Sequence, residues 1–264
     1  MGEFTAKDVQ KLRQATGAGM MDAKRALEEN GGAPEAAAQW LREKGLAKVA
    51  KLSDRENTQG AVAVVVDGPV GAIVELKCET DFSAKADDFV SLVQDLADAV
   101  VSGGPDAVTE LSERVDEVKI AKRENIEIGR VVRLEAGEGE IVDSYLHLQD
   151  GRGVNAVLVQ LAGGTRELAH DLAVHVAFTK PPYLTRDEVP AEAVEKEREA
   201  LLEITKAEGK PEQAWPKIVD GRLNAWYKGL VLSEQAYVKD EKRTIQDLLG
   251  DARLVRFEQV YIGA

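Results

Sequence analysis

One pattern of strand, turn, strand and helix occurs twice in this chain, and a duplication of that kind constrains the architecture before any single residue is weighed. Residues 61–66, the pair Asp67-Gly68 and residues 72–74 in the first copy answer residues 144–149, Asp150-Gly151 and residues 156–158 in the second. The helical stretches that follow repeat as well, Asp95-Leu96-Ala97 with Val100 against Asp171-Leu172-Ala173 with Val176. Each copy sets two apolar or alternating runs around an Asp-Gly pair, which is a β-hairpin signal. The expected class is α+β, with two related β-hairpin/helix subdomains over 58–140 and 141–264.

The copies differ in length at one place. Their second strands align at an offset of 84, Ala72 on Ala156, and their helices at 76, Asp95 on Asp171, so between these points the first copy holds eight more residues. These fall between strand and helix, in Glu79-Thr80-Asp81-Phe82-Ser83-Ala84-Lys85-Ala86-Asp87, and the connection is expected to project beyond the shared framework. Two readings of it stand side by side. In one, Phe82 beside the Asp81 carboxylate is an exposed contact on a functional loop. In the other, Thr80 or Asp81 caps a helix and Phe82 folds back onto the core.

Outside the duplication the chain reads as helical. Thr5 followed by Asp8 has the form of an N-cap with an acidic first turn, and Val9 and Leu12 share one face of the helix it opens. Gly17 and Gly19 break that helix, residues 20–29 make a second, Gly31-Gly32 stops it, and Pro34 opens a third with Ala37, Trp40 and Leu41 on its apolar side. At least one of Met20 and Met21 is expected in the packing between them. A three-helix domain over 1–46 and a charged linker over 47–57 follow from this spacing. Beyond Pro190 two charged helical patterns flank Gly209-Lys210-Pro211, with Val194 and Leu201 placed as on one seam, so an antiparallel helical hairpin is expected over about 190–228. A short helix around 244–249 and a closing edge strand over 254–262 complete the second subdomain.

Composition narrows the function. With 34 basic against 47 acidic residues the net charge is -13, which repels phosphate backbones and argues against direct nucleic-acid or membrane binding. The one cysteine, Cys78, excludes an intrachain disulfide and suits a reducing compartment, and Met1-Gly2-Glu3-Phe4 lacks the character of a leader, so a cytoplasmic location is expected. Gly151-x-Gly153-x-x-Ala156 imitates a dinucleotide fingerprint, but it leads from a hairpin turn into a strand, where no helix N-terminus meets a pyrophosphate. His147, His170 and His175 lack metal-ligand spacing, and Cys78 has no activating base beside it in sequence. No catalytic residue, metal ligand or cofactor is expected.

Leu12-Arg13-Gln14-Ala15-Thr16-Gly17-Ala18-Gly19-Met20-Met21-Asp22-Ala23-Lys24-Arg25-Ala26-Leu27 resembles the N-terminal signature of the elongation factor Ts family. Cys78-Glu79-Thr80-Asp81-Phe82-Ser83-Ala84-Lys85 is similar to that family's Thr-Asp-Phe-Val-Ala-Lys signature, and it falls on the loop that the duplication singles out. Glu124-Asn125-Ile126, Ser144-Tyr145-Leu146-His147, His175-Val176-Ala177 with Lys180-Pro181, Gly209-Lys210-Pro211, Lys217-Ile218-Val219 and Gly221-Arg222 match in the family's order. The resemblance implies a ubiquitin-associated-like N-terminal domain, a core of two related subdomains and a protruding coiled-coil hairpin.

It also implies a guanine-nucleotide exchange factor in place of an enzyme, with elongation factor Tu as partner in its GDP-bound and nucleotide-free states; a homo-oligomer is left open. On that resemblance Arg13, Met20 and Met21 touch the partner's G domain. Thr80, Asp81, Phe82 and Ser83 form the loop that acts near its magnesium and nucleotide, and His147 supports the same interface. The chain departs from the family at Ala23, often Cys, at Ser83, often Val, and at Lys122-Arg123, often Ile-Gly. It ends at Ala264, before the C-terminal helical module of longer members, so contacts from that module are not expected. Two rival readings are a module that captures ubiquitin-like or nascent-chain ligands through the N-terminal helices, and a hydrolase with an unrecognised site.

Overall fold

The computed structural model describes residues 4–263; residues 1–3, which belong to the stretch read for a leader, and Ala264 lie outside the described residues. Thr5 opens α1 (Ala6–Thr16) with a capping box: its hydroxyl accepts from the Asp8 amide, while the Asp8 carboxylate takes the Thr5 N–H at 2.9 Å. Gly17, at φ 66, ends the helix in the left-handed conformation that a side chain resists. With α2 (Met20–Glu29) and α3 (Pro34–Val49) it closes a small core of Val9, Leu12, Ala23, Ala26, Leu27 and Ala37. Neither methionine joins that core, against expectation: Met20 is 48% and Met21 74% exposed, because Ala23, Ala26 and Leu27 already fill the inward face of α2. The stretch read as a linker over 47–57 is helical for half its length, since α3 runs through Val49 and a 3-10 turn continues to Leu52.

The strands of the core are apolar on both sides, and the fold covers both. β1 (Gln59–Asp67) pairs with β2 (Val70–Cys78), a one-turn α4 (Asp81–Ala84) leads into α5 (Asp87–Gly103), and α6 (Ser112–Lys122) returns the chain to β3 (Glu127–Glu135), which adds to the free edge of β2. Ala61, Ala63, Ala72, Val74 and Leu76 face α5, where Phe89, Leu92, Leu96 and Val100 meet them. Val62 and Ile73 point the other way, into a second sheet.

That sheet begins with β4 (Glu140–Gln149) and β5 (Arg152–Ala162), and α7 (Arg166–Thr179) covers its outer face: Val157, Val159 and Leu161 pack on Leu172, Ala173 and Val176, while Val142, Ala156 and Leu158 meet Val62 and Ile73. The result is four layers, helix, sheet, sheet, helix, with related halves back to back. The sheets approach closely at Gly153, where a Cβ would run into the Val62 carbonyl. Asp150 and Gly151 turn the second hairpin with φ of 53 and 80, both positive as a type I′ turn requires. In the first hairpin the turn is Gly68-Pro69, one residue later than the Asp-Gly pair suggested, because Asp67 still pairs with Val70.

Helices α8 (Ala191–Ala207) and α9 (Trp215–Leu230) form the hairpin, seamed by Val194, Leu201, Leu223 and Tyr227. Near its tip Arg222 Nη2 donates to both Glu208 oxygens at 2.7 Å. A short ribbon, β6 (Ala236–Tyr237) and β7 (Asp240–Thr244), and α10 (Ile245–Leu249) bring the chain to β8 (Arg253–Tyr261), which joins the free edge of β5 as β3 joins β2. No helix among the described residues is long and apolar enough to cross a membrane.

Candidate functional site

The stretch that lengthens the first copy is built around the single helical turn of α4 and does not hang off the core as an open loop. Thr80 has the extended backbone of an N-cap, and its hydroxyl accepts the Ser83 N–H at 3.2 Å. Ala84 is buried against the core, which draws the connection in. Both readings of this segment are therefore partly met: Thr80 does cap a helix, yet Phe82 does not fold back and stands 83% exposed.

The support beneath this turn comes from the far end of α6. Arg123, at φ 58, takes the left-handed cap position where the family often carries glycine, and the chain reverses there to bring Glu124 under the turn. The Glu124 carboxylate accepts from the amides of Glu79 and Thr80 and from the hydroxyls of Thr80 and Ser83. Asn125 donates its backbone N–H to Glu79 at 2.7 Å and its side-chain amide to the carbonyls of Ser53 and Arg55, so the end of the linker is tied to the same place.

A cation joins the two core halves beside the turn. Lys85 Nζ lies 2.9 Å from Asp81 Oδ2 and 3.1 Å from Asp150 Oδ2, in the hairpin turn of the second half. Its hydrogen bond is the largest influence holding the Asp81 carboxyl below its ordinary value. Arg152 is buried behind it and donates to the Gly60 carbonyl at 2.6 Å. Burial first, and the Glu124 carboxylate second, push the Cys78 thiol up to about 12, and it donates to the Thr80 carbonyl; it is a structural thiol.

His147 is exposed at the end of β4, two residues from Tyr145, whose hydroxyl is 3.5 Å from His147 Nδ1. The Lys85 link places it on the same end of the sandwich as Asp81 and Phe82. His170 is also exposed, against the Ser144 carbonyl, whereas His175 is fully buried. Arg13, on the last turn of α1, and Met20 and Met21, on the first turn of α2, flank the Gly17-Ala18-Gly19 turn as a second exposed patch on the N-terminal helices. A cleft of about 1130 Å³ lies between those helices and α5–α6, with Trp40 on its wall. Glu124, Lys85 and Asp150 were not singled out from the sequence; the first two sit in stretches matching the family, which was the available signal, and Asp150 looked like an ordinary turn residue.

A family model described as Elongation factor TS matches residues 79–264, starting at the foot of the capped turn. An Elongation factor Ts of Paenarthrobacter aurescens (strain TC1) is 44% identical over 264 residues, covering 96% of this chain and 95% of that protein. The chain belongs to the elongation factor Ts family. Further members with this similarity are those of Deinococcus deserti, 43% identical with 98% of this chain and 99% of the relative covered, and Acidothermus cellulolyticus, 42% identical with 100% and 99% covered. Elongation factor Ts is a translation elongation factor, and its family model spans the capped turn, Glu124 and His147. Arg13, Met20 and Met21 precede the first matched residue, in a region that the Acidothermus relative covers.

Proposed function

We propose that this chain is a guanine-nucleotide exchange factor for elongation factor Tu, working in the cytoplasm without a cofactor and without making or breaking bonds itself. The observation that carries the reading is Phe82, an apolar ring 83% exposed on a capped turn beside Asp81, where the extra residues of the first core half lie. A ring left in water on a braced turn favours a partner that buries it. In this mechanism Phe82 wedges between helices of the partner, and Thr80 and Ser83 hold the turn. Asp81 leaves Lys85 and perturbs the hydrogen bonds around the partner's Mg²⁺, whose charge otherwise ties the phosphates to the protein. Arg13, Met20 and Met21 grip the G domain, and His147 supports the interface from the second half.

Exchange then follows from reciprocity. A partner that binds this factor better without GDP must bind GDP more weakly with the factor, by the same coupling factor. GTP refills the empty site and expels the factor. Release of labelled GDP from elongation factor Tu tests the proposal: catalytic amounts of the chain are expected to speed release and to leave GTP hydrolysis unchanged. Release that stays at the intrinsic rate across a wide range of factor concentration would end it.

A further inference from the structure

The carboxylate of Glu124 spends its acceptor capacity on one short stretch of chain. Oε2 takes the amides of Glu79 and Thr80, each at 3.1 Å, and Oε1 takes the hydroxyls of Thr80 at 2.7 Å and Ser83 at 2.6 Å. Four donors match the roughly four lone-pair positions of an ionised carboxylate. Burial opposes the charged form, but the Ser83 and Thr80 hydroxyls and the two amides more than offset it, and the group titrates below its ordinary value. The donors therefore face an ionised acceptor at neutral pH.

The turn above it is also tied by the buried Ala84, by the Cys78 thiol on the Thr80 carbonyl and by the Lys85–Asp81 pair, but Glu124 alone gathers four of its donors. α4 is a single turn of four residues, far shorter than the ~12 at which an isolated helix becomes marginal in water. Phe82, exposed as it is, touches too little protein to select its own direction, so its direction is inherited from the backbone. Glu124 holds the segment on both sides of Phe82, through the backbone amides at the entry and the Ser83 side-chain hydroxyl after it. Ser83 matters here because the valine that the family often carries at this position has no proton to donate.

We infer that Glu124 is a positioning residue for nucleotide exchange, fixing from beneath the turn that presents Asp81 and Phe82 so that the ordering of this segment precedes contact with elongation factor Tu. The inference rests on the exchange-factor reading. Glu124→Gln keeps size and shape but sets an NH₂ group against donors. In the full chain, amide hydrogen exchange at residues 79–83 is expected to accelerate, and GDP release at saturating factor to slow by about 10- to 100-fold.

In a Phe82→Ala background the same substitution is expected to slow release by a smaller factor than in the parent, because of the two groups that act through the turn only Asp81 remains to be misplaced. Independent multiplication of the two defects, or exchange at the parent rate with those amides deprotected, overturns the inference. Ser83→Val removes one donor and leaves the rest, so it decides the matter should Glu124→Gln fail to fold: a smaller slowing, again muted by Phe82→Ala, supports the role, and parent-rate exchange rejects it. Failure of the parent chain itself to speed GDP release refutes the exchange-factor reading and is told apart by that control.

Discussion

The ammonium of Lys85, in the first core half, sits 3.1 Å from the carboxylate of Asp150, in the hairpin turn of the second. The same nitrogen holds Asp81 at 2.9 Å, so a single half-buried cation sets the candidate exchange residue against the hairpin that bears His147. Solvent-screened pairs of this kind contribute little to stability, so Lys85→Met should barely move the unfolding midpoint. Its effect belongs in the titration of Asp81, which the Lys85 hydrogen bond holds below 3.8. In Lys85→Met the Asp81 carboxyl should titrate closer to 3.8, read from its ¹³C shift; an unmoved titration rejects the pairing in solution.

Phe82 and Asp81 should be separable by magnesium. Burying a phenyl ring yields roughly 1.5–3 kcal/mol, so Phe82→Ala should slow GDP release by about 10- to 150-fold if that burial occurs only in the exchange-competent complex. Stability should hold, since the ring is exposed in the free protein. Asp81→Ala should also slow release, yet its defect should shrink once EDTA has removed Mg²⁺, whereas the Phe82 defect should persist. Stopped-flow release at matched ionic strength decides: parent-rate exchange by Phe82→Ala removes the wedge, and an Asp81 defect of equal size without Mg²⁺ removes its assigned role.

The duplicated halves were legible because local apolar runs such as residues 61–66 and 156–159 are continuous on both faces, and both faces pack against a neighbouring layer. What completes each sheet was harder to see. β3 carries Glu127, Arg130 and Arg133 among its apolar residues and sits on an edge, where charge is tolerated, so its periodicity is weak. The linker reading failed at α3 because Lys44, Gly45 and Lys48 dilute the helical stripe, although Gly45 is the residue that lets the helix seat. Phe82 stood out through the length difference between the copies. Glu124 did not, since its donors lie more than forty positions away and a lone glutamate after a helix looks solvated.

His175 should make stability depend on pH. The Val238 N–H donates to its Nδ1 at 3.3 Å, so the proton of the neutral ring sits on Nε2 and donates to Gln235 Oε1 at 2.9 Å. Burial lowers its pKa below 6.5, against the smaller opposing effect of the Gln235 hydrogen bond. The unfolded chain thus takes up the proton first: this contribution is full above 6.5 and declines as pH falls below it, by up to about 1.4 kcal/mol per pH unit. Urea midpoints from about pH 7.5 down to about 5.5 should fall more steeply for the parent than for His175→Gln. Equal slopes would assign the acid sensitivity elsewhere.

Arg123→Gly should stabilise the protein. Arg123 holds φ 58 at the cap of α6, a conformation that costs an L side chain roughly 1–2 kcal/mol and glycine almost nothing, while glycine's extra freedom in the unfolded chain takes back part of the gain. A net increase of about 0.5–1 kcal/mol in unfolding free energy is expected by urea titration. A decrease would mean that the arginine side chain contributes more than its backbone strain removes.

Gly45 should govern where the N-terminal helices sit. A Cβ at this position would lie 2.8 to 3.0 Å from side-chain carbons of Ile120, so α3 rests on α6 through bare backbone, with Arg42 and Glu113 paired at 3.2 Å beside it. Gly45→Leu raises the intrinsic helix propensity of α3 by roughly 0.8 kcal/mol, yet it leaves no room for the seat. Helical content by circular dichroism should therefore hold or rise, while ¹⁵N relaxation shows the N-terminal helices tumbling more independently of the core. Exchange should then need more factor, with a raised KM and a rate at saturation close to the parent's, because Arg13, Met20 and Met21 no longer arrive in register with Phe82. Deleting residues 1–50 sets the limit of the same effect, a folded core that binds weakly. Should Gly45→Leu leave both relaxation and KM untouched, the placement is held by the Asn125 bonds to the carbonyls of Ser53 and Arg55, and the seat on α6 is incidental.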